Sequence, residues 1–329
     1  MFEKGKQKKL TIVLAVILAI FLIAVVWISN LMFNFALNPN SKYTITDLLS
    51  VDSIPEQDGQ SPAVEIAPEL QQFNQEAAAW FETGETTLLT SEDGLTLNAR
   101  YFPLDNSHRY AIVCHGYGGN STQMSGYAKR FHNLGFSVLV PDARAHGESE
   151  GAYYGMGWPE RKDLLDWSDQ LIAADPAAEI VLFGVSMGGA TVMMTAGEEL
   201  PEQIKCIVED CGYTSVWDEF SLQLKSLFDA PDFPLMYTTD LICRLRAGYG
   251  FHEASAVEQL KKANVPMLFI HGEKDTFVPY SMLDQVYNAC ASAEKEKLTV
   301  PGAGHGIAAS VDPDLYWSTV ESFLNKHLK

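Results

Sequence analysis

From Glu85 onward, short apolar runs alternate with longer segments whose apolar residues recur at helical spacing. This alternation indicates parallel strands joined by crossover helices, because a parallel pair needs a long connection across one face of the sheet. The apolar runs predict strands at residues 86–90, 95–102, 110–114, 137–140, 180–183, 205–209, 266–270 and 297–300. The sequence therefore predicts one α/β domain over residues 85–329, with a mostly parallel sheet and helices on both faces.

The segments between these runs supply turns and helices. Residues 92–94, Glu-Asp-Gly, separate the first two runs and predict an antiparallel hairpin. Helices are predicted over residues 68–82, 122–133 and 159–174, from 187 toward 200, and over 313–327. Residues 212–264 are too long for a simple crossover and are rich in apolar side chains. They form either a small lid that supplies an apolar wall to a pocket, or an ordinary crossover helix with a surface insertion.

Residues 10–28 are an apolar run in which Thr11 is the only polar member. As a helix this run spans about 28 Å, close to the ~30 Å hydrocarbon thickness of a bilayer. No A-x-A pattern follows it, which favours an uncleaved anchor over a cleaved signal peptide. Four lysines against one glutamate precede the run, and the positive-inside rule places this end in the cytoplasm.

The expected organisation follows from that anchor. Residues 1–9 are a basic cytoplasmic segment, 10–30 a transmembrane signal anchor, and 31–84 a stalk with a lead-in helix. The α/β domain, residues 85–329, then lies on the extracytoplasmic side of the cell membrane, attached by a single pass.

Charge and cysteine content exclude several classes of protein. The net charge is −19, and no basic stripe offsets it, so nucleic acid is not an expected partner. Five cysteines cannot all pair, and the chain lacks both C-x-x-C and H-E-x-x-H. We therefore expect neither a disulfide framework nor a metal or redox site, and no organic cofactor.

Residues 184–188, Gly-Val-Ser-Met-Gly, lie where a predicted strand ends and a helix begins. A nucleophilic serine needs this sharp turn to expose its hydroxyl, and flanking glycines permit the close backbone packing. As a bare pattern G-x-S-x-G is common, but the strand–turn–helix context makes it specific. Ser186 is therefore the candidate nucleophile.

An oxyanion site is expected beside this serine. Residues 115–119, His-Gly-Tyr-Gly-Gly, follow an earlier strand and match neither dinucleotide-binding nor P-loop patterns. The backbone N–H groups of Tyr117 and Met187 are the candidate donors to the developing oxyanion.

The candidate acid and base that would accompany Ser186 follow predicted strands farther along the chain. Asp275 follows one strand, and His305 lies in a small-residue loop after the last strand. Serine, acid and histidine in this order match the hydrolase triad, with His305 as base and Asp275 orienting it. Glu273 is the alternative acid. The histidines His115, His146 and His271 are expected to orient or pack the backbone.

Taken together, these motifs resemble α/β-hydrolase-fold serine hydrolases over residues 85–329. The matching segments are 115–116, 142–149, 184–188, 271–279 and 304–305. The chain looks most like bacterial membrane-anchored or cell-surface members, which are similar to esterases and to prolyl-oligopeptidase-type catalytic domains. The resemblance implies that Asp275, followed by Val278 and Pro279, is the triad acid. It also implies that residues 142–149 are structural.

We expect a serine hydrolase that cleaves a carboxylic ester, thioester or amide through an acyl-enzyme on Ser186. The substrate is then a small-molecule ester, a lipid or a peptide. A serine peptidase or an acyltransferase with the same triad is the alternative, since selectivity lies in the pocket walls. The remote alternative, from a different functional class, is a non-catalytic membrane-anchored binding protein.

Overall fold

One sheet of eight strands forms the centre of the protein in the computed structural model, which describes residues 2–42 and 67–328. The strands are β1 (Glu85–Thr90), β2 (Thr96–Phe102), β3 (Arg109–Cys114), β4 (Ser137–Pro141), β5 (Glu179–Val185), β6 (Ile204–Asp210), β7 (Met267–Gly272) and β8 (Lys295–Val300). Their order across the sheet is β1-β2-β4-β3-β5-β6-β7-β8. The β1–β2 hairpin and the β2–β4 pair are antiparallel, and the other pairs are parallel. The predicted α/β class and mostly parallel sheet are confirmed.

Helices surround this sheet and precede it. They are α1 (Phe2–Leu37), α2 (Pro68–Phe81), α3 (Ser125–Asn133), α4 (Glu160–Ala174), α5 (Met187–Thr195), α6 (Val216–Phe228), α7 (Leu235–Arg246), α8 (Ala256–Leu260), α9 (Ser281–Ala289), α10 (Ala308–Val311) and α11 (Pro313–His327). A 3₁₀ turn, Ser121–Met124, leads into α3. Helix α5 ends earlier than expected, just before Gly197, where an added Cβ would lie 2.5 Å from the Gln259 carbonyl oxygen.

Each face of the sheet carries its own apolar core. Ile180 and Leu182 of β5 belong to the core that includes Trp167 of α4. The alternate residue Phe183 belongs to the opposite core, with Phe131 of α3. Successive strand residues point to opposite faces, so a strand covered on both faces reads as a continuous apolar run. For this reason the strands could be predicted from continuous apolar runs in the sequence.

Helix α1 is one continuous helix of 36 residues, about 54 Å long. It is the one helix in the described residues that is long and apolar enough to cross a membrane. Most of the apolar run is exposed, but every fourth residue near its end is buried, namely Val25, Ser29, Phe33 and Leu37. This buried stripe packs against α7 and the neighbouring loops.

The C-terminal turns of α1 therefore differ from the stalk expected from residue 31. The helix continues to Leu37, whose carbonyl accepts a hydrogen bond from the Tyr154 N–H at 2.9 Å. Phe33 and Leu37 are fully buried, so this part of the chain belongs to the packed domain. Residues 43–66 of the expected stalk lie outside the described residues. Helix α2 occupies the expected lead-in position.

Candidate active site

Ser186 stands on a sharp turn between β5 and α5. Its φ of 58° and ψ of −117° lie in a backbone region that residues other than glycine rarely adopt. An added Cβ at Gly184 would lie 2.1 Å from the Gly188 carbonyl oxygen, and one at Gly188 would lie 2.3 Å from the Cys114 carbonyl oxygen. Both glycines are therefore required for the turn, as the G-x-S-x-G pattern predicts.

The structure brings Ser186, His305 and Asp275 together at the carboxyl ends of β5, β8 and β7. The Nε2 atom of His305 lies 2.8 Å from the Ser186 Oγ, and its Nδ1 lies 2.7 Å from the Asp275 Oδ2. With Nδ1 donating to the carboxylate, Nε2 is left to accept the serine proton. These two contacts are the ones expected when His305 acts as a base and Asp275 orients it.

Asp275 is held by several donors. Its Oδ1 accepts hydrogen bonds from the N–H groups of Phe277 and Val278, both at 3.0 Å. The Nε2 of His271 lies 3.3 Å from Oδ2. Burial raises the pKa of Asp275, but the hydrogen bonds from His271 and His305 lower it by more. The carboxyl group is therefore ionised at neutral pH.

Glu273, the alternative acid, lies elsewhere. Its Oε2 accepts a hydrogen bond from the Gly302 N–H at 3.2 Å, and its side chain is exposed. The geometry thus places Asp275, and not Glu273, against His305.

The loop of residues 115–119 lies against the serine turn. An added Cβ at Gly116 would lie 3.4 Å from the Ser186 Cβ, which places this backbone beside the nucleophile. Met187 is the first residue of α5, so its N–H is not used by the helix. The predicted oxyanion donors thus belong to these two backbone segments, Tyr117 directly after Gly116 and Met187 directly after Ser186.

Two buried histidines hold that loop. The Nε2 of His115 accepts from the Ala143 N–H at 3.0 Å, and the Nε2 of His146 accepts from the Gly118 N–H at 3.1 Å. Burial lowers the pKa of His115, and burial together with the neighbouring His115 lowers that of His146 to about 3. Both rings are neutral at physiological pH and position backbone.

A cavity opens at Ser186, with about 370 Å³ of empty space when its opening to solvent is included. It is lined by Tyr117, Met156, Ser186, Tyr213, Glu219, Phe220, Gln223 and Phe277. Three of these side chains, Glu219, Phe220 and Gln223, come from α6, so the 212–264 segment does supply a wall next to the nucleophile. Apart from Glu219 and Gln223, the walls away from Ser186 are aromatic or sulfur-containing.

Glu219 was not predicted as a site residue. Its Oε1 accepts a hydrogen bond from the Gln223 Nε2 at 2.8 Å, while its Oε2 has no hydrogen-bond partner in the described part of the chain. Burial raises the pKa of Glu219 to about 8, so it is mostly protonated at neutral pH. The available signal was an acidic residue four positions before Gln223, on a helical face that is otherwise apolar.

Cys211, Asp275 and His305 are the one group of potential metal ligands in residues 2–42 and 67–328, with ligand atoms within 4.8 Å of one another. Both His305 nitrogens and both Asp275 oxygens already make hydrogen bonds. Burial raises the pKa of Cys211 well above its usual value, which keeps the thiol protonated. The group fits proton transfer better than metal binding.

The sequence matches known proteins. The sequence profile of the prolyl oligopeptidase family matches residues 122–329. An uncharacterized Bacillus subtilis protein, YqkD, is 27% identical over 248 residues, which cover 74% of this chain and 81% of YqkD. An uncharacterized membrane protein of Saccharomyces cerevisiae, YNL320W, is 24% identical over 244 residues, which cover 73% of this chain and 79% of that protein.

Solved structures are also similar. The esterase Pf2001 of Pyrococcus furiosus has a TM-score of 0.62 and 22% identity, over 75% of this chain and 93% of that one. The acylaminoacyl peptidase of Pyrococcus horikoshii has a TM-score of 0.58 and 18% identity, over 75% of this chain and 41% of that one. At these identities the likeness shows the fold, an α/β-hydrolase fold that carries both esterases and peptidases.

Proposed function

The chain belongs to the prolyl oligopeptidase family and is a serine hydrolase of α/β-hydrolase fold, and from this premise we propose that Ser186, His305 and Asp275 are its catalytic triad. The observation that carries the proposal is the unbroken hydrogen-bonded chain from the Ser186 Oγ through His305 to Asp275. It lies on a strained turn that exposes the hydroxyl beside a cavity. The substrate class is a carboxylic ester, thioester or amide.

The reaction follows from the geometry. The Ser186 Oγ attacks the substrate carbonyl carbon while His305 Nε2 takes the hydroxyl proton, and the N–H groups of Tyr117 and Met187 stabilise the oxyanion. The bond from the carbonyl carbon to the leaving group breaks as His305 returns the proton to that group. Water, deprotonated by His305, then attacks the acyl-enzyme and releases the acid and free Ser186. Asp275 stays ionised and stabilises the imidazolium.

Helix α1 is proposed to anchor this enzyme in a membrane. Its run of residues 10–28 matches the hydrocarbon thickness, and a yeast relative is described as a membrane protein. The lysines before the run favour a cytoplasmic N terminus and an extracytoplasmic catalytic domain. Proteinase K added to intact protoplasts is expected to digest the domain. Digestion only after lysis would reverse the proposed orientation.

The direct test of the triad is labelling of the full-length protein in detergent with a small fluorophosphonate, read by intact mass and peptide mapping. We expect one adduct, on Ser186, that is absent in Ser186→Ala and at least about a thousandfold slower in His305→Ala. Ser318→Ala, a change at an exposed serine of α11, is the matched control and should label like the native protein. A folded protein that gives no adduct, or an adduct elsewhere, would overturn the triad.

A further inference from the structure

A second cavity lies next to the Ser186 cavity, between α1 and the two helices α6 and α7. Its empty space, counted together with the opening to solvent, is about 430 Å³, and its walls are almost wholly apolar. Its walls include Met32 and Phe35 of α1, Leu227 and Phe228 of α6, and Met236 of α7. Phe220 and Gln223 line both cavities, so these two side chains lie between the second cavity and the space at Ser186.

One wall of this second cavity is the continuation of the proposed membrane anchor. Met32 lies four residues after Ile28, the end of the apolar run, which is about 6 Å along a helix. The headgroup layer on each side of a bilayer is about 5–8 Å thick. Because α1 is unbroken between these residues, the cavity begins at the level of the lipid headgroups.

Apolar side chains are also exposed on α7, at the end of α6 and in the loop between these helices. Beyond α1, seven large apolar side chains are exposed in the described residues. Five of them lie at the end of α6, in the loop that follows it or on α7: Phe228, Phe233, Tyr237, Leu241 and Leu245. Three of the five repeat every fourth residue along α7, and Phe233 and Leu245 are 73% and 78% exposed. A clustered apolar patch of this kind marks an interaction surface. Helix α7, which carries most of this patch, packs against α1, the proposed anchor.

The contacts between α1 and α7 fix this arrangement. Arg246 donates a hydrogen bond to Asn30 Oδ1 at 2.9 Å, and its guanidinium lies 4.6 Å from the centre of the Phe33 ring. Ser29 donates to the Leu235 carbonyl at 3.3 Å. The contacts therefore keep the apolar patch on α7 in a fixed place beside the proposed anchor.

We propose that the second cavity holds the acyl chain of a membrane lipid whose ester carbonyl lies at Ser186. The inference rests on the proposed triad and anchor and names their substrate class: a long-chain acyl ester taken from the bilayer. The chain lies between α1 and α6 and passes Phe220 and Gln223 to reach the serine. The acyl group is transferred to Ser186, the alcohol part leaves with the proton from His305, and water releases the fatty acid.

The first test compares p-nitrophenyl butyrate and decanoate with the full-length protein in one fixed detergent. Each buried methylene is worth about fourfold in kcat/KM, so the native protein should prefer decanoate. Leu227→Trp, which fills the cavity, should lower the decanoate-to-butyrate ratio by at least about tenfold. Leu88→Trp, at an exposed leucine of β1, is the matched control and should keep the native ratio. An unchanged ratio in Leu227→Trp would speak against the proposal.

The second test needs no variant, so it decides if Leu227→Trp fails to fold or if the two tests disagree. A dodecyl fluorophosphonate with a diazirine at the chain end is reacted with the native protein and irradiated. We expect crosslinks in residues 32–36 of α1 or in residues 227–228. Crosslinks elsewhere, or labelling of Ser186 by a small fluorophosphonate but not by the dodecyl reagent, would overturn the lipid site alone. Failure of both reagents would instead overturn the triad.

Discussion

The two regions that meet at Ser186 are built in opposite ways. At the strand-end loops, Asp275 has four polar hydrogen-bonding neighbours around its two oxygens. The helical cover, α6 and α7 with the end of α1, lines its cavity almost wholly with apolar side chains, and its buried acid Glu219 keeps one oxygen without a partner in the described residues. The pKa of Asp275 is lowered and that of Glu219 is raised to about 8.

This contrast shows that burial alone does not decide the charge of a carboxyl group. Both side chains are buried at one site, and burial raises both pKa values. At Asp275 the neighbouring donors lower the pKa by more than burial raises it. At Glu219 only the hydrogen bond from the Gln223 amide lowers the pKa, and burial outweighs it. The loops thus keep a charge that orients the base, and the cover presents a neutral wall.

The largest expected effect comes from removing the charge at the strand-end loops. In Asp275→Asn the amide can donate to the His305 Nδ1 and so favour the tautomer that cannot accept the Ser186 proton. We expect kcat for a short ester to fall about ten-thousandfold. Steady-state kinetics of the full-length variant measure it.

Glu273→Gln is the matched change for that experiment. It makes the same chemical substitution two residues away, at a side chain that bonds the Gly302 N–H. We expect its kcat to stay within about twofold of native, as for most surface substitutions. Equal losses in the two variants would show that Asp275 is not the orienting acid.

The same contrast explains what the sequence could predict. Ser186, Asp275 and His305 each follow a predicted strand, and the ends of parallel strands meet at one edge of a sheet, so local patterns sufficed to assemble them. The strands themselves were readable because both faces of the sheet are covered.

The helical cover could not be predicted in this way. The stripe of Val25, Ser29, Phe33 and Leu37 begins inside the apolar run of residues 10–28, where no periodic contrast marks the face that packs. The cavity at Ser186 also combines α6 with distant loops, and spacing along the chain carries no information about such contacts. The sequence therefore left the lid and the simple crossover as equal alternatives for residues 212–264.

A smaller effect is expected from the acid of the cover. Glu219 binds its proton more tightly when folded, with a pKa of about 8 against an ordinary value near 4.5, so stability falls as pH rises between these values. Glu219→Gln mimics the protonated acid and should remove this loss. The free energy of unfolding of the variant minus that of the native protein should therefore rise by on the order of 3 kcal/mol from pH 5 to pH 8.5.

Denaturant unfolding of the full-length protein in detergent at the two pH values measures that difference. Glu258→Gln, at an exposed residue of α8 paired with Lys261, is the control and should leave the pH dependence unchanged. If native protein and Glu219→Gln lose stability in parallel, Glu219 is ionised in the folded state and the cover is not a neutral wall.

The smallest expected effect lies where the two regions join. The Tyr117 hydroxyl donates to the Ala36 carbonyl at 2.6 Å and so ties the oxyanion loop to the end of α1. Tyr117→Phe removes one hydrogen bond, worth about 1 kcal/mol, and we expect kcat for a short ester to fall about fivefold. Tyr287→Phe, which removes a hydroxyl near β8, should leave kcat unchanged. If kcat holds in Tyr117→Phe while the unfolding midpoint falls, the contact stabilises the fold without positioning the oxyanion donor.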